Sequence, residues 1–283
     1  MQEWLNLERG LHWSVYAVAF LAIGLWETYH PLRPLIAPNA KRWAVHIAMS
    51  GIGHLLAILT PVSAAAVALL AAKHNSFGLS SQHVIPFPLQ FFLTFLMLDF
   101  VRWTQHFFFH RVEWLWRIHQ VHHSDPDYDL TTSLRFHPLE AFLTQSTYLV
   151  AIFLIAPPPL ATLAVELVLL AQNFFGHANT SLPSGIESRL RRFLVTPDMH
   201  RIHHSIEVRE QNRNFGTMFP WWDRLLGTYQ ETPAAGAAHM TVGLEGYSGD
   251  RCVSLLEMLI LPFRKSQHAS EPARALAQSS SGN

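Results

Sequence analysis

Three groups of histidines have spacings that could direct several imidazole rings toward a common point. They are the pair His106 and His110, the HxxHH triplet His119, His122 and His123, and a second HxxHH triplet, His200, His203 and His204. On an α-helix, residues at i, i+3 and i+4 share one face. Imidazole nitrogen is a good ligand for zinc, copper and iron. The spacing therefore predicts a metal site built from histidines.

These eight imidazoles are too many for one ion, because a first-row metal rarely takes more than about six ligands and zinc usually takes about four. We therefore predict two metal ions. The only cysteine, Cys252, excludes an internal disulfide and an all-thiolate site. Iron, zinc, copper and manganese all remain candidates for a site of nitrogen ligands.

The elements that hold these histidines are predicted to lie in a membrane. The chain has 283 residues, of which 49% are hydrophobic and 14% are charged, whereas a soluble domain has about 25% charged residues. Lys+Arg and Asp+Glu balance at 20 each, so the charge gives no reason to expect a nucleic-acid partner. We expect an integral membrane protein.

Apolar segments long enough to cross a bilayer core, which takes about 20 residues, recur along the chain. They are residues 11–29, 43–72, 84–110, 138–156 and 159–176. The last two form a hairpin, since a continuous helix cannot accommodate the three prolines at 157–159. The pattern predicts an all-α polytopic membrane protein with about five transmembrane helices.

Basic residues indicate the orientation of these helices. Arg33, Lys41 and Arg42 follow the first segment, and the positive-inside rule places their loop in the cytoplasm. The N-terminus is then outside, and no cleavable signal is evident, so the first segment should remain as an anchor. Because the third segment runs into His106, we expect the metal site and the C-terminus on the cytoplasmic side, within a helical cap.

We divide the chain into an N-terminal membrane region, a catalytic region, a C-terminal cap or interfacial segment and a disordered tail. Their boundaries are 1–83, 84–235, 236–264 and 265–283. Thr196, Pro197 and Asp198 are typical of a helix start, so the second HxxHH should occupy the opening turns of a helix.

The order HxxxH, HxxHH, HxxHH around a membrane hairpin resembles the fatty acid hydroxylase superfamily, also called the sterol desaturase family. The flanking residues agree over about 90–230. They are Asp99-Phe100, Leu115-Trp116-Arg117, the stretch Arg135 to Glu140, the stretch Thr196 to His200, Asn214-Phe215-Gly216 and the stretch Trp222 to Tyr229.

The resemblance implies a membrane-bound non-haem diiron oxygenase that uses O2 and two electrons to hydroxylate or desaturate lipid C–H bonds. Its metal ligands would be the eight histidines above, with His177 and His137 in addition. Asn173 stands where fatty acid 2-hydroxylases have a histidine, which favours the sterol or alkyl-lipid branch. No cytochrome b5-like segment is evident, so a separate donor of ferredoxin or cytochrome b5 type should supply electrons.

Ligand imidazoles are usually oriented through their second ring nitrogen. We predict that Asp99, Asp198, Asn214 and Asp223 provide those hydrogen bonds. Two other functions fit the histidines: a dizinc membrane hydrolase with a metal-activated water, and a metal transport or storage protein. A transporter should place its ligands at the bilayer midplane, whereas these motifs follow helix ends.

Overall fold

The computed structural model describes residues 2–37, 39–59, 63–237, 239–247 and 249–264, and within them the chain forms helices and no strand. This confirms the prediction of an all-α fold. The helices are α1 (Gln2–Tyr29), α2 (Asn39–Leu59), α3 (Ala64–His74), α4 (Phe87–Arg111), α5 (Glu113–His123), α6 (Pro138–Ile155), α7 (Pro159–Gly176), α8 (Ser184–Leu190), α9 (Pro197–His203), α10 (Val208–Gln211), α11 (Trp221–Leu226) and α12 (Leu255–Ile260). Short 3-10 helices cover Leu79–Ser81, Leu130–Leu134, Gly249–Val253 and Leu261–Phe263.

The hairpin of α6 and α7 follows from its prolines. Pro138 and Pro159 each stand in the first turn of their helix, where a missing amide proton costs no hydrogen bond. α6 ends at Ile155 and is followed by Ala156, which adopts a left-handed conformation with φ of 45°. Among the described residues, these two 18-residue helices are the ones long and apolar enough to cross a membrane. The full set of five membrane helices stays a prediction.

The second predicted apolar segment, 43–72, is divided between α2 and α3. With 11 residues, α3 extends about 16 Å and is too short to cross a bilayer by itself. Small residues cover its buried side: Ala64, Ala65, Ala68 and Ala71. They permit close packing, and α3 joins a buried cluster with α4, α6 and α7 that includes Leu98, Tyr148 and Val165.

The histidines lie at one end of the bundle that the long helices form. At the end of α1, Glu27 accepts hydrogen bonds from the amides of Leu130 (3.1 Å) and Asn179 (3.0 Å). At the start of α2, the Arg42 guanidinium binds Asp125 just after α5. We call this end of the bundle the histidine end. At the opposite end, Asn75 donates to the carbonyl of Leu154, where α6 finishes.

The C-terminal region packs into the body of the protein. Met258 of α12 is fully buried and contacts Val121 of α5 together with Val45 and Met49 of α2. The predicted interfacial helix therefore contributes to the support of α5. The predicted disordered tail, 265–283, lies outside the described residues.

Candidate metal centre

Nine histidines at the histidine end form two adjacent groups of potential metal ligands. The first group is His106, His110, His119, His123 and His203, and the second is His122, His177, His200 and His204. Within each group, one ligand atom per residue lies within 4.8 Å of all the others. All of these side chains are buried except His106, which is half-buried. The two groups touch, since the rings of His123 and His204 stack with centroids 4.5 Å apart.

The HxxHH motif of α5 contributes to both groups. His119 and His123, four residues apart, join the first group, whereas His122 joins the second. The i+3 position is rotated about the helix axis by a fraction of a turn from the i and i+4 positions. This rotation is enough to direct the His122 ring to the second group. One short helix therefore fixes the separation of the two groups.

The second HxxHH motif also contributes to both groups, but its outer histidines join the second group instead of the first. His200 and His204 join the second group, and His203 joins the first. α9 begins at Pro197 as predicted, and His204 follows its last residue. The Thr196 hydroxyl, however, hydrogen-bonds Glu187 at 2.5 Å instead of capping the helix. The motifs of α5 and α9 therefore each supply histidines to both groups and connect the two groups.

Backbone carbonyl groups orient three of the rings. Nδ1 lies 2.8 Å from the Phe215 carbonyl oxygen in His106, 2.8 Å from that of Arg213 in His203 and 2.7 Å from that of Asn173 in His177. Because a carbonyl only accepts, Nδ1 must carry the proton in each ring. In the neutral ring, Nε2 then has a free lone pair for a metal.

A carboxylate orients a fourth ring, and the sequence reasoning missed it. Glu140 Oε1 lies 2.6 Å from Nδ1 of His119, and both side chains are buried. The available signal was an acidic residue in the first turn of the apolar helix α6, where burial requires a polar partner. This pair is the arrangement in which a carboxylate fixes a ligand histidine and makes it more basic.

Facing lone pairs test whether these residues fit a metal. Nε2 of His106 lies 3.2 Å from Nε2 of His119, and the partners of Nδ1 leave no proton on either Nε2. Nε2 of His177 lies 3.2 Å from Nε2 of His122 and 3.1 Å from Nε2 of His200. Between His106 and His119, the two Nε2 lone pairs repel each other at this distance unless a cation lies between them. The proton on Nδ1 of His177 likewise leaves its Nε2 lone pair facing two further ring nitrogens. The donor set therefore fits bound cations.

Buried ring nitrogens without a hydrogen-bond partner also indicate that the histidines fit bound cations. They include Nε2 of His110, His203 and His204 and both ring nitrogens of His123. Leaving such a nitrogen buried and unpaired costs about 1–3 kcal/mol. Several of them in one place indicate ligands for metal ions.

Burial favours the neutral form of several of these rings by lowering the imidazole pKa. Burial lowers the pKa of His203 to about 3, helped by the neighbouring His119, and lowers that of His177 to about 4. Burial and adjacent imidazoles also hold the pKa of His122, His123 and His204 well below the usual value. Neutral imidazole is the form that binds metal.

His137, predicted as a ligand, lies outside both groups. It precedes α6, and its Nδ1 accepts a hydrogen bond from the Leu139 amide at 3.1 Å. Its Nε2 faces the Leu259 carbonyl at 3.3 Å. Both ring nitrogens are therefore engaged in holding the start of α6 against the C-terminal segment, which differs from the expectation of a ligand.

Asp223 and Asn214 support the metal centre through backbone groups and do not contact the histidine rings directly. Asp223 accepts hydrogen bonds from the amides of Phe215 (3.0 Å) and Gly216 (2.7 Å), and so it holds the carbonyl that orients His106. The Asn214 side chain donates to the Met199 carbonyl at 3.1 Å, next to the second HxxHH motif. The prediction placed these side chains directly on the histidines, but backbone groups lie between them.

Asp99 and Asp198 are also linked to the centre through other residues. Asp99 accepts hydrogen bonds from the amides of Met218 (3.0 Å) and Phe219 (3.2 Å) and thereby binds this loop to α4. Asp198 pairs with Arg201 at 2.7 Å. Arg201 in turn donates to the Thr180 carbonyl at 2.8 Å, which connects α9 to the segment after His177.

Comparison with known proteins identifies a family and two kinds of relative. The fatty acid hydroxylase family model matches residues 91–228, which contain all nine histidines. The alkylglycerol monooxygenase of Xenopus tropicalis is 34% identical over 142 residues, 50% of this chain and 31% of that protein. The human alkylglycerol monooxygenase is 31% identical over 143 residues, again 50% of this chain and 31% of that protein.

A bacterial relative matches over a longer stretch. The ornithine lipid hydroxylase OlsE of Rhizobium tropici is 27% identical over 205 residues, 72% of this chain and 59% of that protein. The chain thus spans less than two thirds of the length of each of these relatives. No solved structure gives a significant match. Residues 91–228, which are just under half of the chain and contain both histidine groups, thus match the fatty acid hydroxylase family.

Proposed function

We propose that this protein is a membrane-bound, O2-dependent non-haem diiron oxygenase that hydroxylates a lipid. The observation that carries this proposal is the pair of adjacent groups of five and four imidazoles, eight of which are buried. The matched relatives are named as lipid hydroxylases and monooxygenases, which favours hydroxylation over desaturation. The motifs of the family favour iron over zinc.

No amino-acid side chain is a strong enough oxidant to cleave an aliphatic C–H bond, so its oxidation needs a redox metal. Two iron ions held by these histidines would activate O2 with electrons from a separate donor protein of ferredoxin or cytochrome b5 type. The first group would hold one ion through five imidazoles, and the second group would hold the other through four.

The contribution of the protein is to orient the rings and to exclude water. The Phe215 ring contacts His106, His110 and His203 with centroid distances of 5.8, 5.2 and 5.6 Å. Trp116 lies against His110 at 5.0 Å on another side of the first group. Such apolar walls keep the local dielectric low and protect a strong oxidant from side reactions. In His106, His119, His177 and His203, the proton fixed on Nδ1 keeps Nε2 directed at the centre.

The substrate class follows from the relatives and the expected membrane setting. The relatives are named for alkylglycerols and ornithine lipids, which share a long alkyl chain attached to a polar headgroup. We propose a substrate of this kind, entering from the bilayer with its reacting carbon near the interface. The metal centre would lie on the cytoplasmic side, at the end of about five membrane helices.

Metal analysis and oxygen uptake test this proposal. Protein purified without oxygen should contain two iron ions per chain. With a reduced electron donor and an alkyl lipid, it should consume O2 and place one labelled oxygen atom in the product, as detected by mass spectrometry. Bound zinc with lipid hydrolysis in the absence of O2 would instead indicate a dizinc hydrolase. Metal flux in proteoliposomes would indicate a transporter.

A further inference from the structure

α8, the turn after it and α11 form one continuous surface. The Trp221 indole donates to the Arg192 carbonyl at 2.7 Å, and Arg224 donates to the Arg191 carbonyl at 3.3 Å. The two helices also line a common groove of about 640 Å³ through Ser188, Arg192 and Arg224. We call the exposed side chains here the α8–α11 surface, which comprises Ile186, Arg189, Arg192, Phe193, Leu225 and Leu226.

The composition of this surface is unusual for one that faces water. Leu225 is 74% exposed, Phe193 is 60% exposed and Ile186 is 53% exposed. Arg189 and Arg192 are also exposed and lie on the same two turns of chain as Ile186 and Phe193. Single exposed apolar residues are common, but a group of them beside arginines is typical of segments that lie in the membrane interface.

Contacts with α4 show which side of the metal centre this surface occupies. Trp222 of α11 donates to Asp99 at 3.0 Å, and its ring lies 4.7 Å from that of Phe100. Asp99 is about 18 Å from the end of α4 at Arg111, measured along the helix axis. α11 therefore folds back along α4, away from the histidine end. It lies next to the exposed apolar side chain of Phe100 in α4.

We propose that the α8–α11 surface docks on the anionic headgroup layer of the bilayer, with Phe193 and Leu225 inserted among the lipids and Arg189 and Arg192 bound to phosphates. Charge complementarity supports this occupant, because guanidinium groups bind phosphate oxygens in bidentate fashion. Each arginine near an anionic membrane strengthens the contact about fivefold. This contact rests on the membrane setting of the proposed function, but it requires neither the metal centre nor the oxygenase reaction.

A spin label at Leu225 tests the proposal in the full chain reconstituted in lipid nanodiscs. Leu225→Cys would be labelled in a Cys252→Ala background, and Glu207→Cys, at an exposed residue before α10, would be the control. The Leu225 label should collide with lipid-soluble oxygen more than with a water-soluble nickel chelate, and the Glu207 label should show the reverse. Adding phosphatidylglycerol to phosphatidylcholine should raise the oxygen-to-nickel ratio at Leu225.

Charge variants separate lipid docking from other outcomes. Arg189→Gln with Arg192→Gln should abolish the response to phosphatidylglycerol, whereas Arg251→Gln, at an exposed arginine on a separate element, should preserve it. Equal nickel access at Leu225 and Glu207 would overturn the proposal. Protection of Leu225 from both reagents would also overturn it and would indicate a protein partner. Neither measurement requires turnover, so failure here is distinguishable from failure of the proposed function.

Discussion

The ring of His119 differs from the others in how its Nδ1 is held. His106, His177 and His203 face neutral carbonyl groups, whereas His119 faces the Glu140 carboxylate at 2.6 Å. A charged acceptor makes the imidazole a stronger electron donor than a neutral acceptor does. The first group should therefore contain one ligand that binds its metal more strongly than the rest.

Glu140→Gln tests this difference. Glutamine preserves an acceptor for the His119 proton but removes the charge, so iron affinity or turnover should fall by about 10–100-fold. Titration with a competing chelator measures the affinity directly. Glu257→Gln is a matched control, because Glu257 pairs with Arg264 in another part of the protein. Unchanged chelator titration in Glu140→Gln would contradict the role assigned to the carboxylate.

Single ligand variants should affect the two groups separately. His122→Ala removes a ring from the second group, and His203→Ala removes one from the first. Each should abolish oxidation and lower the iron content while the protein remains in the membrane, because a half-filled centre cannot share electrons between two ions. His74→Ala, at an exposed histidine that ends α3, should have no effect. Full turnover in either ligand variant would exclude that ligand assignment.

At the scale of the elements, periodicity predicted that each HxxHH shares a helix face. α5 contains the first motif, and α9 contains the second except for His204, which follows its last residue. Periodicity could not predict the division of His122 from His119 and His123, because that depends on which histidines of the distant second motif each ring contacts. Local sequence also could not distinguish His137 from a ligand. Its two ring nitrogens are occupied by Leu139 and Leu259, and the second of these contacts is made far along the chain.

The position of α5 depends on a buried ionic network at its C-terminal end. Arg42 of α2 donates to Asp125 at 2.8 Å and to Asp129 at 2.8 Å, and all three side chains are at most 1% exposed. Arg135 also donates to the Val121 carbonyl within the last turn of α5, at 3.0 Å. This network connects the first HxxHH to α2, which lies outside the region matched by the family model.

Arg42→Ala should destabilise the protein by roughly 3–5 kcal/mol, because it leaves two buried carboxylates without their cation. Iron content should also decrease as the end of α5 becomes free to move. Arg264→Ala is the comparison, since the Arg264–Glu257 pair is partly exposed and should contribute roughly 0–1 kcal/mol. Denaturant unfolding in detergent measures both variants. Similar losses in the two would show that the buried network does not support α5.

At the scale of the whole molecule, the sequence predicted the all-α class and the hairpin of α6 and α7 from apolar length and proline position. It did not predict that 43–72 would divide into α2 and α3, or that α12 would pack on α5 through Met258. Both features depend on contacts between distant segments. The gathering of the histidines at one end of the helix bundle also depends on contacts between distant segments. Because the bundle has two distinct ends, the proposed membrane orientation can be tested.

Thiol labelling tests that orientation with two exposed positions at opposite ends of the bundle. Ile36, 88% exposed, lies at the histidine end, where its amide binds Asp127 at 2.9 Å. Phe77, 92% exposed, follows Asn75 at the other end. In intact cells that express a Cys252→Ala background, a membrane-impermeant thiol reagent should label Phe77→Cys at once and Ile36→Cys only after permeabilisation. The opposite pattern would invert the assigned sidedness. Labelling of both in intact cells would mean that the helices between them do not separate two compartments.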